Sequence, residues 1–234
     1  MQMLKNAAQE GMLGAVKQPA HQSVYEGLRD QILFGELAPG QPVTIQGLTQ
    51  QLGAGMTPVR EALRRLIANG ALVMLGNRRV CVPVLTESCI KELDFMRKSL
   101  EPQLARWAST KMNPQHLMIL GSHDDALNAA IAGGDIHNYL LENYQFHAAL
   151  YTIADAPIVA ATVDRLWLRF GPSLRVVCGR YGTMNLPDKH ADLLRALADG
   201  NADAAERAIK EDIEQGMTQI RAALSDAQPH GRFD

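Results

Sequence analysis

Aromatic residues and cysteines are both scarce in this chain. Phe, Trp and Tyr make up 5% of the 234 residues, and they are not interleaved with basic residues as in the stacking platforms that bind single-stranded nucleic acid. The three cysteines, Cys81, Cys89 and Cys178, have no CxxC or other paired spacing. This pattern argues against a disulfide framework or a thiolate metal site and favours a reducing compartment.

The sequence also lacks long apolar runs. Residues 37–59 carry no charge, but Gln, Thr, Gly and Pro are too frequent among them for a membrane span. The N-terminus shows no apolar segment followed by a cleavage signature, so we expect no secretory signal. No HExxH-like arrangement supplies the general base of a zinc hydrolase. We therefore expect a cytoplasmic protein without a membrane partner.

An excess of basic charge, which is common in nucleic-acid binders, is absent from the chain as a whole. Its formal net charge is −2, but residues 1–84 carry +3 and the remaining residues carry −5. A mildly basic N-terminal part can still bind phosphates if its charges cluster on one face. The charge distribution therefore places any DNA contact in the first 84 residues.

Residues 55–70 contain a helix start, an apolar stripe, a basic stripe and a helix end. Thr57 is predicted as the N-cap, Pro58 as the first helical residue and Gly70 as the left-handed residue that ends the helix. The apolar stripe has the spacing that packs on a core. Its members are Val59, Ala62, Leu63, Leu66 and Ile67.

The basic stripe of this helix consists of Arg60 and Arg64, one turn apart. Glu61 and Arg65 have the spacing of an i, i+4 ion pair, so Arg65 is expected to serve the helix rather than a ligand. The combination is typical of a DNA recognition helix. An ordinary amphipathic surface helix is the alternative.

The neighbouring segments favour the recognition helix. Helical spacing over 23–34 and again over 45–52 predicts two preceding helices, and a tight turn of about four residues separates the second from Thr57. After Gly70, β-prone runs at 72–74 and 79–84 predict a hairpin. The sequence therefore predicts a helix-turn-helix followed by a wing.

From residue 86 onward, helical periodicity dominates and strand signals nearly vanish. The short connections predict an antiparallel bundle, and Thr86, Asp135 and Asn201 are predicted N-caps. The predicted helices cover about 86–111, 113–132, 136–154, 157–178, 188–199 and 202–226. The expected fold class is mainly α, with an N-terminal winged helix-turn-helix domain and a C-terminal all-α antiparallel bundle.

We expect four segments along the chain. They are a flexible N-terminal arm (1–20), a winged helix-turn-helix DNA-binding domain (21–84), an all-helical effector-binding and dimerisation domain (85–226) and a tail (227–234).

Several strings resemble a known family. Residues 37–41 (Leu-Ala-Pro-Gly-Gln), 48–53 (Leu-Thr-Gln-Gln-Leu-Gly) and 57–63 (Thr-Pro-Val-Arg-Glu-Ala-Leu) are similar to the winged helix-turn-helix of GntR-type bacterial transcription regulators. Residues 97–101 and 189–205 resemble the FCD ligand-binding domain of the FadR-like branch of that family. The resemblance implies a homodimeric regulator, by default a repressor, that binds a palindromic double-stranded DNA operator and senses a small organic acid.

The resemblance and the chemistry of base recognition together suggest how the first domain contacts DNA. Arg60 is expected to reach a base edge, with guanine as the first candidate, and Thr57 a phosphate or a neighbouring base. Met56 departs from the family pattern, in which Arg is usual. The candidate DNA-binding residues are Gln46, Thr57, Pro58, Arg60, Arg64 and the wing residues Gly76, Asn77 and Arg78.

The same resemblance implies a divalent metal in the bundle, held by an Asp and three His. This chain has Asn143, His147, His190 and Asp212 at those positions, so Asn replaces the usual Asp and Asp replaces the last His. Two imidazoles and one carboxylate suit zinc, with nickel or manganese as alternatives. Alternatively, these groups hydrogen-bond one another or a bound acid. No organic cofactor is expected.

A guanidinium beside such a metal would bind a small carboxylate effector in a bidentate manner. Arg97 is the first candidate, followed by Arg169 and Arg175, although Arg97 also has the i, i+4 spacing of an ion pair with Glu101. Effector binding would act by favouring a bundle geometry in which the two DNA-binding domains cannot dock together. Two other functions stay open at this point: a helical metal-dependent hydrolase, and a bundle that only dimerises.

Overall fold

The computed structural model describes residues 20–76, 79–181 and 188–225. Residues 1–19 of the expected arm, the whole expected tail, and Asn77 and Arg78 of the expected wing lie outside these ranges. Among the described helices, none is long and apolar enough to cross a bilayer.

The N-terminal part of the structure, here called the head, combines three helices with a small antiparallel sheet of strand order β1-β3-β2. The hairpin predicted after Gly70 is present as β2 and β3. Strand β1 was not predicted, because a two-residue strand that begins with proline leaves almost no sequence signal; Pro42 lies on an edge strand, where its missing N–H is tolerated. The elements are α1 (Ala20–Leu33), β1 (Pro42–Val43), α2 (Ile45–Leu52), α3 (Met56–Ala68), β2 (Val73–Met74) and β3 (Val80–Cys81).

The two helices of the helix-turn-helix begin and end at identifiable residues. The Thr44 hydroxyl accepts from the Gly47 amide at 3.0 Å and begins α2. Helix α3 begins at Met56 with Gly55 as its N-cap, so the prediction that Thr57 caps it is wrong by two positions. Pro58 still lies in the first turn, where no intrahelical N–H is needed. Gly70 follows the helix with φ +74°, as predicted.

The apolar face of α3 forms much of the head core. Val59, Ala62 and Leu66 are fully buried, which confirms the predicted stripe. The predicted Glu61–Arg65 pair is wrong: the Arg65 guanidinium lies 3.7 Å from the centre of the Tyr25 ring on α1. A cation–π contact across two helices has replaced an exposed pair within one helix.

The C-terminal part, here called the bundle, consists of six helices among the described residues. Their bounds agree with the predicted ones to within three residues, and the side chains of Thr86, Asp135 and Asn201 cap helices as predicted. The helices are α4 (Glu87–Ser109), α5 (Pro114–Gly133), α6 (Ile136–Ala154), α7 (Pro157–Tyr181), α8 (Lys189–Ala198) and α9 (Ala202–Ser225).

Helix α7 connects the bundle to the head because it packs on α1. A Cβ atom at Gly171 would lie 2.5 Å from the carbonyl oxygen of Leu33, so the two backbones approach as closely as glycine allows. Glycine at this point of α7 therefore sets how closely the head sits on the bundle.

A hydrogen-bonded triad also joins the two parts, and we call Arg29, Tyr144 and Asp164 the latch. The Arg29 Nη2 atom on α1 lies 2.7 Å from Asp164 Oδ1 on α7 and also donates to the Tyr144 hydroxyl on α6. The Tyr144 hydroxyl donates to Asp164 Oδ1 at 2.6 Å. Burial, and then the Asp164 charge, raises the pKa of Tyr144, so this hydroxyl keeps its proton and remains a donor.

Candidate functional site

The solvent face of α3 carries the residues expected to meet DNA. Thr57, Arg60 and Arg64 are all exposed, opposite the buried apolar stripe. Arg60 forms no ion pair or hydrogen bond with any residue in the described ranges, so its donors are free for a ligand. Arg64 lies 3.4 Å from Glu61, and its side chain is 77% exposed. The two arginines therefore share one face, but only Arg64 has a protein partner.

The other residues expected to contact DNA differ in how far they are exposed. Gln46 is exposed in the first turn of α2, and Gly76 is exposed in the hairpin. Pro58 is partly buried in the first turn of α3, so its contribution is to helix geometry. Met56, where the resemblance implies Arg, is 52% exposed beside Thr57. The wing contacts expected at Asn77 and Arg78 fall outside the described residues.

A second group of functional side chains lies inside the bundle. His147 on α6, His190 on α8 and Asp212 on α9 each place one potential ligand atom within 4.8 Å of the others. The His147 Nε2 atom is 3.4 Å from Asp212 Oδ2, and His190 Nε2 is 3.9 Å from Asp212 Oδ1. Three separate helices thus bring together the two imidazoles and the carboxylate that the sequence singled out.

The far side of each imidazole is held by a second polar group. The His190 Nδ1 atom is 3.2 Å from Asp124 Oδ1, and His147 Nδ1 is 3.1 Å from the Tyr151 hydroxyl. Tyr151 donates its proton to Glu101 at 2.6 Å, so it can only accept from His147. We infer from these partners that both Nδ1 atoms carry protons. In the neutral rings, both Nε2 lone pairs then face Asp212, as in histidines that bind metals.

The charges of the cluster suit a cation. Burial lowers the pKa of His147 and outweighs the neighbouring Asp212, which favours the neutral imidazole that a metal needs. Burial opposes ionisation of Asp212, but its contact with His147 and the nearby positive charges of His190 and Arg97 lower its pKa to about 2. For His190, burial acts to lower the pKa, but Asp124 and Asp212 outweigh it and raise the pKa. A proton and a metal would therefore compete for the His190 imidazole.

Two small hollows adjoin the cluster, with volumes of about 110 and about 50 Å³. Asn143 and Asp212 line both of them; the larger also reaches His190, and the smaller reaches His147 and Arg97. Asn143 is therefore placed where the sequence put it, beside the cluster, with a neutral amide oxygen to offer. The space suits a small ligand.

Arg97 both lines the cavity beside the cluster and forms the ion pair with Glu101, the two arrangements considered from the sequence. It is 3% exposed, and it forms the i, i+4 ion pair with Glu101 at 2.6 Å (Nε to Oε1) and 3.1 Å (Nη2 to Oε2). Its guanidinium also lies 4.1 Å from the centre of the Phe170 ring. Because Arg97 lines the smaller hollow as well, the ion pair holds a positive charge at the cavity wall.

Arg169 and Arg175 do not share that cavity, which corrects the expectation that they accompany Arg97. Both project from α7 toward the head. The Arg169 guanidinium occupies space that a Cβ at Gly70 would need, and Arg175 does the same at Gly35. Trp167 and Phe170 of the same helix line the cavity instead, because a rotation of about 100° per residue turns neighbouring positions to different sides.

The cluster and the latch are joined by one aromatic side chain. The Trp167 ring centre is 5.1 Å from that of His147 and 5.6 Å from that of Tyr144. Sequence reasoning missed the latch and the two groups behind the imidazoles. Tyr151 follows His147 by four residues and could have been found from helical spacing, whereas Asp124 precedes His190 by 66 residues and leaves no such signal.

Residues 20–82 match the family described as bacterial regulatory proteins, gntR family, and residues 92–215 match the FCD domain. The first of these matches describes regulatory proteins rather than enzymes, so the helical hydrolase considered from the sequence is not supported.

Individual relatives and solved structures agree with these matches. The chain is 32% identical over 151 residues to the HTH-type transcriptional regulator McbR of Escherichia coli K12, covering 64% of this chain and 68% of that protein. It is 26% identical to the HTH-type transcriptional repressor RspR of the same organism, over 89% and 93% of the two chains. The solved structure of E. coli McbR/YncC aligns with a TM-score of 0.82 at 27% identity, covering 88% of this chain and 99% of that one.

Proposed function

The chain belongs to the GntR family of bacterial transcription regulators and carries an FCD domain, and from this premise we propose that it is a homodimeric repressor. In this proposal it binds a palindromic operator in the cytoplasm and releases it when a small carboxylate enters the bundle. RspR, which is named a repressor, supports the sign of regulation.

The observation that carries the DNA-binding part of the proposal is the free guanidinium of Arg60 on the exposed face of α3. A guanidinium with unoccupied donors is suited to the O6 and N7 atoms of guanine in the major groove. Arg64, Gln46 and the wing would contact phosphates, which fix the register of the protein on the duplex without reading its sequence. Selectivity is therefore assigned mainly to Arg60.

The homodimer is supported by apolar side chains that the described part of one chain leaves uncovered. Phe95 on α4, Met118 on α5 and Ile158 on α7 are 72%, 68% and 84% exposed. A contiguous exposed apolar patch is typical of a surface that meets another protein, and in this proposal the three side chains belong to such a patch. Two heads related by a twofold axis would read two half-sites, which is why the operator is expected to be palindromic.

The bundle cluster is suited to a divalent metal. His147, His190 and Asp212 would hold the ion, Asn143 could add its amide oxygen, and zinc is the first candidate. A bound cation would supply a positive partner for the carboxylate of the effector. Arg97 would add a second positive charge at the same cavity wall, while the Glu101 pair keeps it in place.

Effector binding can change operator binding only if the protein has two states and the effector binds one of them more tightly. The latch lies next to the cluster through Trp167, so a shift of α6 or α7 around a ligand would also change how Arg29 holds the head. A ligand that favours one head placement changes operator affinity by its difference in affinity for the two placements. In this scheme, the effector would favour a placement in which both heads cannot dock.

The proposal is tested by selecting duplexes from a random pool with the purified chain and titrating the selected sequence. We expect Arg60→Ala to lower affinity for that sequence by tenfold or more and affinity for random duplexes much less. Arg165→Ala removes an exposed arginine from α7 of the bundle and is the matched control. Failure to select any sequence would contradict the proposal. If DNA binding responds to no organic acid or metal, the bundle serves dimerisation alone.

A further inference from the structure

A large cavity lies between the head and the bundle rather than beside the metal cluster. Its volume is about 550 Å³. Its walls come from the hairpin, from the connection at residues 82–85, and from α4 and α7. We propose that this seam cavity is a second ligand site and that it binds an amphipathic monocarboxylate, with an apolar body inside and the carboxylate on Arg169.

Apolar side chains form both the floor and the rim of the seam cavity. Val82 and Leu93 on the floor are buried, whereas Leu75, Val84 and Met96 at the rim are 49%, 59% and 37% exposed. These three are among the ten large apolar side chains that are exposed in the described ranges. An apolar ligand would remove them from water, and the volume is in the range of small-molecule pockets.

The charged groups at the cavity, Arg169 and Glu92, determine which charge a bound ligand should carry. The Arg169 guanidinium lies against Gly70, where a Cβ would come within 2.2 Å of Nη2, so glycine is required for this placement. Arg169 forms no ion pair or hydrogen bond with any described residue, which leaves its donors available to a carboxylate. Glu92 also lines the cavity and hydrogen-bonds with Ser88 at 3.4 Å. Its negative charge disfavours a ligand with a second carboxylate.

This site is separate from the metal cluster. The seam cavity and the two hollows beside His147 and Asp212 have no lining residue in common. Its walls belong to both the head and the bundle, so an occupant favours the relative placement that closes around it. The consequence for operator binding rests on the proposed function, but the existence of the site does not.

Cys89 provides a built-in reporter of occupancy. It is exposed and lines the seam cavity, whereas Cys81 and Cys178 are buried. Burial also raises the pKa of the Cys178 thiol to about 11, which leaves little thiolate near neutral pH. Iodoacetamide should therefore modify Cys89 first, and a ligand in the cavity should slow that reaction.

The experiment measures the rate of Cys89 alkylation by mass spectrometry, without DNA, in the presence of 2-naphthoate or of the uncharged 2-naphthalenemethanol. We expect 2-naphthoate to slow the reaction at least fivefold and to bind at least tenfold more tightly than the alcohol. Arg169→Met should abolish that preference, and Glu92→Gln should tighten 2-naphthoate binding. Arg165→Met, on the same helix, and His147→Ala, in the metal cluster, should leave protection unchanged.

Several outcomes would overturn the assignment. Equal protection by the acid and the alcohol would remove the role of Arg169, as would full protection by 2-naphthoate in Arg169→Met. If protection of Cys89 instead rises with protein concentration in the absence of ligand, a second copy of the chain covers the seam. Loss of protection in His147→Ala would place the ligand at the cluster. Because none of these readouts uses DNA, failure here is distinguishable from failure of the regulator proposal.

Discussion

The Arg29 guanidinium of the head forms an ion pair with Asp164 of the bundle across 135 residues of sequence, with Nη2 and Oδ1 2.7 Å apart. The side chains are 19% and 38% exposed, so solvent weakens the pair without removing it. Tyr144 shares the same carboxylate oxygen. This contact is one route by which motion inside the bundle would reach the DNA-binding head.

The first prediction concerns the energy of this pair. In a double-mutant cycle of Arg29→Met and Asp164→Asn, urea unfolding should give a coupling free energy of about 1 kcal/mol, because a partly solvated, charge-assisted hydrogen bond is lost. Arg165→Met, at an exposed neighbour of Asp164, should change the free energy of unfolding by less than about 0.5 kcal/mol. Strictly additive effects of Arg29→Met and Asp164→Asn would show that the contact has no energetic role.

The second prediction concerns the groups behind the metal cluster. Tyr151→Phe removes the acceptor for His147 Nδ1 without touching any expected ligand, and it should weaken zinc binding about 10–100-fold. Isothermal titration of the metal-stripped protein measures this directly. Tyr25→Phe makes the same change in the head and should leave zinc affinity as it was. If Tyr151→Phe binds zinc as tightly as the wild type, the hydroxyl does not orient the ligand.

The third prediction concerns the approach of α7 to α1. Replacing glycine by alanine normally stabilises a helix. At position 171, however, the alanine Cβ would lie too close to the backbone oxygen of Leu33. Gly171→Ala should therefore destabilise the protein by about 1–3 kcal/mol. Gly121→Ala in α5, where a Cβ meets nothing within 4 Å, should stabilise it by about 0.5–1 kcal/mol. Thermal unfolding measures both changes, and a melting temperature that rises in Gly171→Ala as it does in Gly121→Ala would refute the packing argument.

The fourth prediction separates the two arginines of α3. Arg64→Gln should lower affinity for all duplexes alike and reduce the slope of log affinity against log salt by about 0.9, because one phosphate contact is lost. Arg60→Ala should mainly lower affinity for the selected operator, by tenfold or more, or about 1.4–3 kcal/mol. Fluorescence anisotropy at several salt concentrations measures both quantities. An unchanged salt slope in Arg64→Gln would assign Arg64 to its pair with Glu61 alone.

Local signals predicted most of the helices, and the family resemblance predicted the cluster. Periodicity and caps placed α4 to α9, and the resemblance placed His147, His190 and Asp212, which the fold then brings within 4.8 Å of one another. The prediction failed where a distant segment competes with a local partner. Arg65 left its expected pair for Tyr25, 40 positions earlier in the sequence.

The positions of Arg169 and Arg175 on α7 also could not be predicted from local sequence. A helical pattern indicates that Arg169 and Arg175 leave the core, but it does not indicate which neighbour covers them. Here the head lies against both, with Gly70 beside Arg169 and Gly35 beside Arg175, although Arg169 remains exposed. These contacts depend on how the head docks on the bundle, and the periodicity of a single helix cannot predict that arrangement.

Asn143 and Tyr144 follow one another on α6, and one lines the cavity beside Asp212 while the other holds Asp164 and Arg29. Any turn of this helix about its axis that draws the amide toward an incoming molecule must swing the phenol by the same angle. A movement of α6 no longer than one hydrogen bond is then enough to change the contacts of Tyr144 with Asp164 and Arg29. If the bundle binds an effector as proposed, neither a hinge nor a large closure is needed for the head to respond.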